Sequence, residues 1–146
     1  MVNTMMDHLS FADVSLLTED IVEITVHPNV EITLDMLEEC NQFFEQKFSG
    51  CFALLINKIH LYDYSFEAKV SMASPKNLAA IAVITYDKWG RSVTHNIWCL
   101  QERNSFKLQL FNGLESGWLH GYTWLKSEIS TLKSCDKKDA ISLLVE

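Results

Sequence analysis

The sequence predicts an α/β fold, a single domain with a mixed, mostly parallel five-stranded sheet and four main helices. Three observations predict it. Cys51–Ile56 and Leu78–Tyr86 are apolar runs without alternation, as expected of strands covered on both faces. Phe11–Leu17 and Ile21–His27 alternate on either side of the polar break Thr18-Glu19-Asp20, which suits an antiparallel hairpin. Apolar residues recur at helical spacing in the segments that separate and follow these runs. Strands alternating with helices in this way imply parallel neighbours joined by right-handed crossovers, with the first strand as the antiparallel one.

The elements follow in order. Pro28 and Asn29 end the second hairpin strand, because proline cannot donate to a ladder. Thr33 is placed as an N-cap, with Asp35 in the first turn behind it. The first helix runs from about Leu34 to Phe48, with Leu34, Leu37, Phe44 and Phe48 near one face and Ser49-Gly50 closing it. The strand Cys51–Ile56 leads through a polar hinge, Asn57–Tyr62, into a second helix from about Tyr64 to Ser74. Its inward residues are expected to be Phe66, Val70 and Ala73, and it stops before Pro75.

Leu78–Tyr86 is the next interior strand. A third helix is expected from about Lys88 to Arg103, where Trp89, Val93, Ile97 and Leu100 repeat at helical spacing and Gly90 weakens the first turn. Phe106–Phe111 alternates and reads as a strand nearer the edge, with Lys107 and Gln109 outward. Asn112 and Glu115 resemble a capping box, opening a fourth helix to about Leu132 with Trp118, Leu125 and Ile129 inward. Gly117 and Gly121 within it point to close packing or local weakness. Residues 1–10 are expected to be flexible and 11–132 to form the domain. Residues 133–146 read as a polar tether with a short apolar tail, Ile141–Val145, that adds an edge strand, docks on a partner subunit or frays.

Bulk properties narrow the function. The chain has 146 residues, 48% apolar and 21% charged, a composition that supports a sizeable core and argues against extensive disorder. A formal net charge of −7 disfavours nonspecific binding to nucleic acid or anionic membrane. The first ten residues have no basic region followed by an apolar segment, so no signal peptide is expected, and no apolar run approaches the ~20 residues that cross a bilayer. Cys40, Cys51, Cys99 and Cys135 are widely spaced, without CxxC or zinc-ligand patterns. Reduced thiols in a cytoplasmic protein are the expectation.

Catalytic signals are weak. His8, His27, His60, His95 and His120 form neither HxH nor HExxH, there is no GxSxG, and the glycines do not make a phosphate loop. No metal or cofactor is expected, and a non-enzymatic domain is; convergence of His60, Asp63 and another polar group in a cleft would point the other way. The aromatic group Trp89, Trp98, Trp118, Tyr122 and Trp124 reads first as core packing. Trp98 and Trp124 lie off the main apolar stripes, so part of this group is a candidate dimer interface or apolar pocket.

The hairpin followed by EITLDMLEE, the strand FALLIN running into DYSF, the strand LAAIAVITY and the late helix ending in YTWLKSEI together resemble the SpoIIAA-like group. This is the STAS-type fold of anti-sigma-factor antagonists and their bacterial relatives. The resemblance covers about Phe11 to Ile129 and implies a cytoplasmic, non-enzymatic domain that binds a protein partner, with homodimerisation expected, or a small apolar or lipid-like ligand. The antagonists carry Asp-Ser-Ser-Gly after the central strand, and a kinase modifies one serine. Here the matching positions are Asp63-Tyr64-Ser65-Phe66, and Ser65 falls on the modified serine. A phosphate there would meet a helix N-terminus, opposed by the like charge of Asp63. The alternative is that Asp63 or Ser65 simply caps the second helix.

Overall fold

The computed structural model describes residues 6–60, 62–71, 77–87 and 107–145, with side chains at 9–60, 62–68, 77–87 and 107–132. The strands are β1 (Met6–His8), β2 (Ala12–Thr18), β3 (Ile21–Val26), β4 (Glu31–Ile32), β5 (Phe52–Lys58), β6 (Asp63–Tyr64), β7 (Leu78–Thr85) and β8 (Lys107–Asn112). The helices are α1 (Leu34–Lys47), α2 (Phe66–Ser71) and α3 (Gly117–Val145), the last preceded by a 3-10 turn at Gly113–Glu115. The predicted third helix, with Trp89 and Trp98, lies outside the described residues.

The chain forms a single α/β domain around one mixed sheet with the order β1-β2-β3-β5-β7-β8. β1, β2 and β3 pair antiparallel, and β3, β5, β7 and β8 pair parallel. The five predicted strands are present as β2, β3, β5, β7 and β8. A sixth, β1, extends the hairpin edge within the stretch expected to be flexible, since three residues are too few to show a period.

Parallel strands added in one direction, with right-handed crossovers, put α1 and α2 on one face. Alternation along the strands separates two core layers. On that face Phe52 and Leu54 meet Ile81, Val83, Ala68 of α2, Phe44 of α1 and Phe48 at the end of α1. Phe48 and Phe52 stack at 4.6 Å between ring centroids. On the other face Ala53, Leu55, Ala80, Ala82 and Ile84 lie under Leu125 and Ile129 of α3. The alanines let α3 settle close to the sheet. A Cβ on Gly121 would stand 2.8 Å from Ile84 Cδ1 and 3.3 Å from Ala82 Cβ, so close packing, not weakness, explains that glycine.

Thr33 caps α1, its side-chain oxygen accepting from the Met36 N–H. Three local readings differ. α2 begins at Phe66 rather than Tyr64, because Tyr64 belongs to β6 and is buried. The helix phase therefore turns Ala68 inward and Phe66 out to solvent. The chain from Asp63 is held by β4, a two-residue parallel pairing that no sequence period reveals. Finally, α3 runs to Val145 through the predicted tether, a stretch without the proline or glycine that would stop it.

Candidate functional site

The parallel strands β5, β7 and β8 deliver their carboxyl ends to one edge of the sheet, where open α/β folds usually gather working residues. Asn57 and Lys58 close β5, Thr85 and then Tyr86 and Asp87 close β7, and Asn112 closes β8. Because side chains alternate, Asn57 and Lys58 point to opposite faces and enter different networks.

On the α3 face, a chain of hydrogen bonds crosses the strands. The Tyr86 hydroxyl donates to Asn57 Oδ1 at 2.7 Å, and Asn57 Nδ2 donates to Glu23 Oε2 at 3.1 Å. Trp118 Nε1 donates to the same Glu23 oxygen at 2.7 Å. Burial lifts the Tyr86 phenol above its ordinary range, while its hydrogen bond to Asn57 acts the other way. These groups stabilise one another, and the network braces Tyr86 from behind.

On the opposite face, Lys58 is buried, with Nζ 4.5 Å from the centroid of the Tyr62 ring. Burial pulls its ammonium down to about 8, with Asp63 and Asp87 pulling the other way. Tyr62 and Tyr64 are buried beside it. Burial pushes the Tyr62 phenol well above its usual range and the Tyr64 phenol to about 12.

The sequence candidates fall out as follows. Ser65 is 9% exposed, and its hydroxyl accepts the Ala68 N–H at 3.1 Å while its own N–H donates to the Ile32 carbonyl. It caps α2, and a kinase could not reach it without displacing that segment. Asp63 is exposed and accepts the Tyr64 N–H at 2.7 Å. Trp118, Tyr122 and Trp124 are all half-buried against the α3-side core, with Trp118 against Tyr122 at 5.3 Å and Trp124 against Phe111 at 5.9 Å. They pack; they do not form the exposed patch. His60 is exposed, and among the described residues no three His, Cys, Asp or Glu side chains gather where a metal could sit.

Among the described residues the exposed large apolar side chains are others: Phe66 at 78%, Leu114 at 76%, Leu119 at 60% and Ile59 at 54%. Ile59 follows β5, Phe66 opens α2 after β6, and Leu114 and Leu119 follow β8. Helical periodicity places Phe66 inward, and in the fourth helix it singles out Trp118, Leu125 and Ile129 and leaves Leu114 and Leu119 unassigned. Their position just past a strand end was the available signal.

A cleft of about 290 Å³ opens at the same edge, with Thr85, Tyr86 and Asp87 on the β7 side and Phe111, Asn112 and Leu114 on the β8 side. The pocket expected between the sheet and the second and third helices involves residues outside the described set. Among the described residues no helix is long and apolar enough to cross a membrane. In comparisons with known proteins, no family model matches the chain, and neither any curated protein nor any solved structure is detectably similar to it.

Proposed function

We propose that the chain is a non-enzymatic interaction domain of the STAS type that associates with a second copy of itself through the apolar rim at the carboxyl edge of its sheet. The observation that carries this reading is the exposure of Ile59, Phe66, Leu114 and Leu119, which follow β5, β6 and β8 in the chain. Covering a side chain such as Phe66 or Leu114 contributes about 1.5–3 kcal/mol each, so two or three anchors support a measurable dimer. The STAS kinship is supported by the hairpin feeding parallel strands laid down in sequence order. The non-enzymatic reading is supported by the way Ser65, Asn57, Glu23 and Tyr86 are engaged in capping and cross-strand hydrogen bonds.

Light scattering over a concentration series tests the reading. The expected result is a dimer that dissociates on dilution, becomes monomeric with Phe66→Asp or Leu114→Asp, and keeps its circular dichroism spectrum. Salt should favour the dimer, because two copies of charge −7 repel and the repulsion is screened. A monomer at every concentration overturns self-association. A dimer indifferent to both substitutions overturns the rim as its site.

A further inference from the structure

We propose that the open end of the N-terminal hairpin binds a late first-row divalent transition cation, of the class of Zn²⁺, through His8, Asp13 and His27. The site lies within one copy of the chain and does not rest on self-association.

The hairpin brings together residues that the sequence keeps apart. β2 and β3 pair antiparallel, with Ala12 opposite Val26 and Asp13 opposite Thr25. The ladder carries on past the end of β3, where the His27 N–H donates to the Phe11 carbonyl at 2.9 Å. His27 Nε2 comes back to 3.3 Å from Asp13 Oδ1. On the other side of β2, His8 of β1 is the register partner of Asp13. Directly opposed residues in an antiparallel pair share a face and carry Cβ atoms about 4.5–5.5 Å apart. Asp13 thus stands on the middle strand with a histidine position on either flank. The spacing of the three residues matches no linear metal motif, so only the strand register reveals them.

The separation of His27 and Asp13 suits a shared cation. At 3.3 Å it is longer than the about 2.7–2.9 Å of a charge-assisted hydrogen bond. Two ligands each about 2.0 Å from a tetrahedral zinc stand about 3.3 Å apart. The cation needs no additional lone pair of the carboxylate, because it takes the place of the hydrogen between the two groups. In neutral His27 that hydrogen moves to Nδ1, and the Nε2 lone pair binds the metal. Both side chains are reachable, His27 at 42% exposed and Asp13 at 46%. Two imidazoles and a carboxylate suit zinc, nickel or copper; calcium and magnesium take oxygen ligands instead. Three protein ligands with water in the fourth position make an open zinc site. The carboxylate offsets part of the ion's charge, and the chain's net charge of −7 favours its approach. Bound there, the ion fastens the three-residue strand β1 to β2.

The test is calorimetric titration of the full chain with Zn²⁺, together with amide hydrogen exchange. The expected result is one Zn²⁺ per chain with a Kd of about 1–10 μM, and no saturable binding of Mg²⁺. His8→Ala, Asp13→Asn and His27→Ala should each weaken Zn²⁺ binding by about tenfold or more. His120→Ala and Cys51→Ser, which remove an exposed imidazole and an exposed thiol elsewhere, should leave it unchanged. At ten times the Kd, Zn²⁺ should slow exchange at residues 6–8 by about tenfold, which scattered surface binding would not do. Circular dichroism of each variant reports that it is folded. Absence of saturable heat up to about 1 mM Zn²⁺, undiminished binding by any of the three ligand variants, or exchange at residues 6–8 that ignores the metal each overturns the proposal. One Zn²⁺ bound to a chain that stays monomeric would sustain this site while removing the self-association reading.

Discussion

Trp118 Nε1 donates a 2.7 Å hydrogen bond to Glu23 Oε2 across 95 residues of sequence. It fastens the first turns of α3 to β3, on the far side of β5, and Asn57 brings β5 and β7 into the same network through Glu23 and Tyr86. A hydrogen bond to a charged group contributes about 1.5–3 kcal/mol, and at a half-buried site the lower end applies. Trp118→Phe should lower the unfolding free energy by about 1.5 kcal/mol in urea titrations. A double-mutant cycle with Glu23→Gln should return a coupling of at least about 0.5 kcal/mol, and independent effects would mean that the bond is idle.

Ser65 offers a direct contrast between a cap and a switch. Its Oγ accepts the Ala68 N–H, so Ser65→Ala should cost about 1 kcal/mol, within the range for lost caps. Ser65→Asp keeps an oxygen acceptor but buries a charge. The cap predicts that both substitutions change stability and leave the association state alone at matched fractions folded. A dimer population that responds to Ser65→Asp and not to Ser65→Ala would restore the switch.

How far the sequence could be read follows from which signals are periodic. Cys51–Ile56 and Leu78–Tyr86 announced strands buried on both faces, and those strands are the centre of the sheet. Thr33 announced its helix because capping is local chemistry. β4 and β6 left no trace, since two residues have no period and their pairing is set by chain ends brought together from afar. That pairing shifted the phase of α2, and with it Phe66 went from predicted core to exposed rim. The Glu23–Asn57–Tyr86–Trp118 network was equally hidden. Each member is an ordinary polar or aromatic residue, and only the strand register makes them neighbours.

The two glycines at opposite ends of the packing scale give a third test. Gly121 faces Ile84 Cδ1 and Ala82 Cβ at distances that leave no room for a branched side chain. Gly121→Val should cost about 1–3 kcal/mol through overpacking, because Ile84 is fully buried and cannot move far. Gly50 has nothing within 4 Å of its Cβ position, and Gly50→Ala should stay within about 0.5 kcal/mol of the parent. Chemical denaturation midpoints compare the two. A tolerated Gly121→Val would mean that α3 sits further from Ile84 and Ala82 than these distances.

The pH dependence of stability above neutrality separates buried Lys58 from half-buried Cys40, whose contributions have opposite sign. Lys58 falls from its ordinary 10.5 to about 8 in the folded chain, chiefly through burial. Between these values the unfolded chain binds the extra proton, so this group makes stability rise with pH from about 8 upward. Cys40 moves the other way, from 9.0 to about 12, because burial penalises the thiolate and Glu39 adds to it. Above about 9 the folded chain keeps a proton that the unfolded chain loses, and stability falls. Denaturant midpoints should therefore climb between pH 8 and 9 and flatten beyond. Lys58→Met should abolish the climb, and Cys40→Ala should let it continue. Above 10 the buried Tyr62 and Tyr64 phenols, both raised in the fold, again favour unfolding as pH increases. Parallel curves for the parent and Lys58→Met between pH 8 and 9 would show that the Lys58 ammonium is not held out of water by the Tyr62 ring.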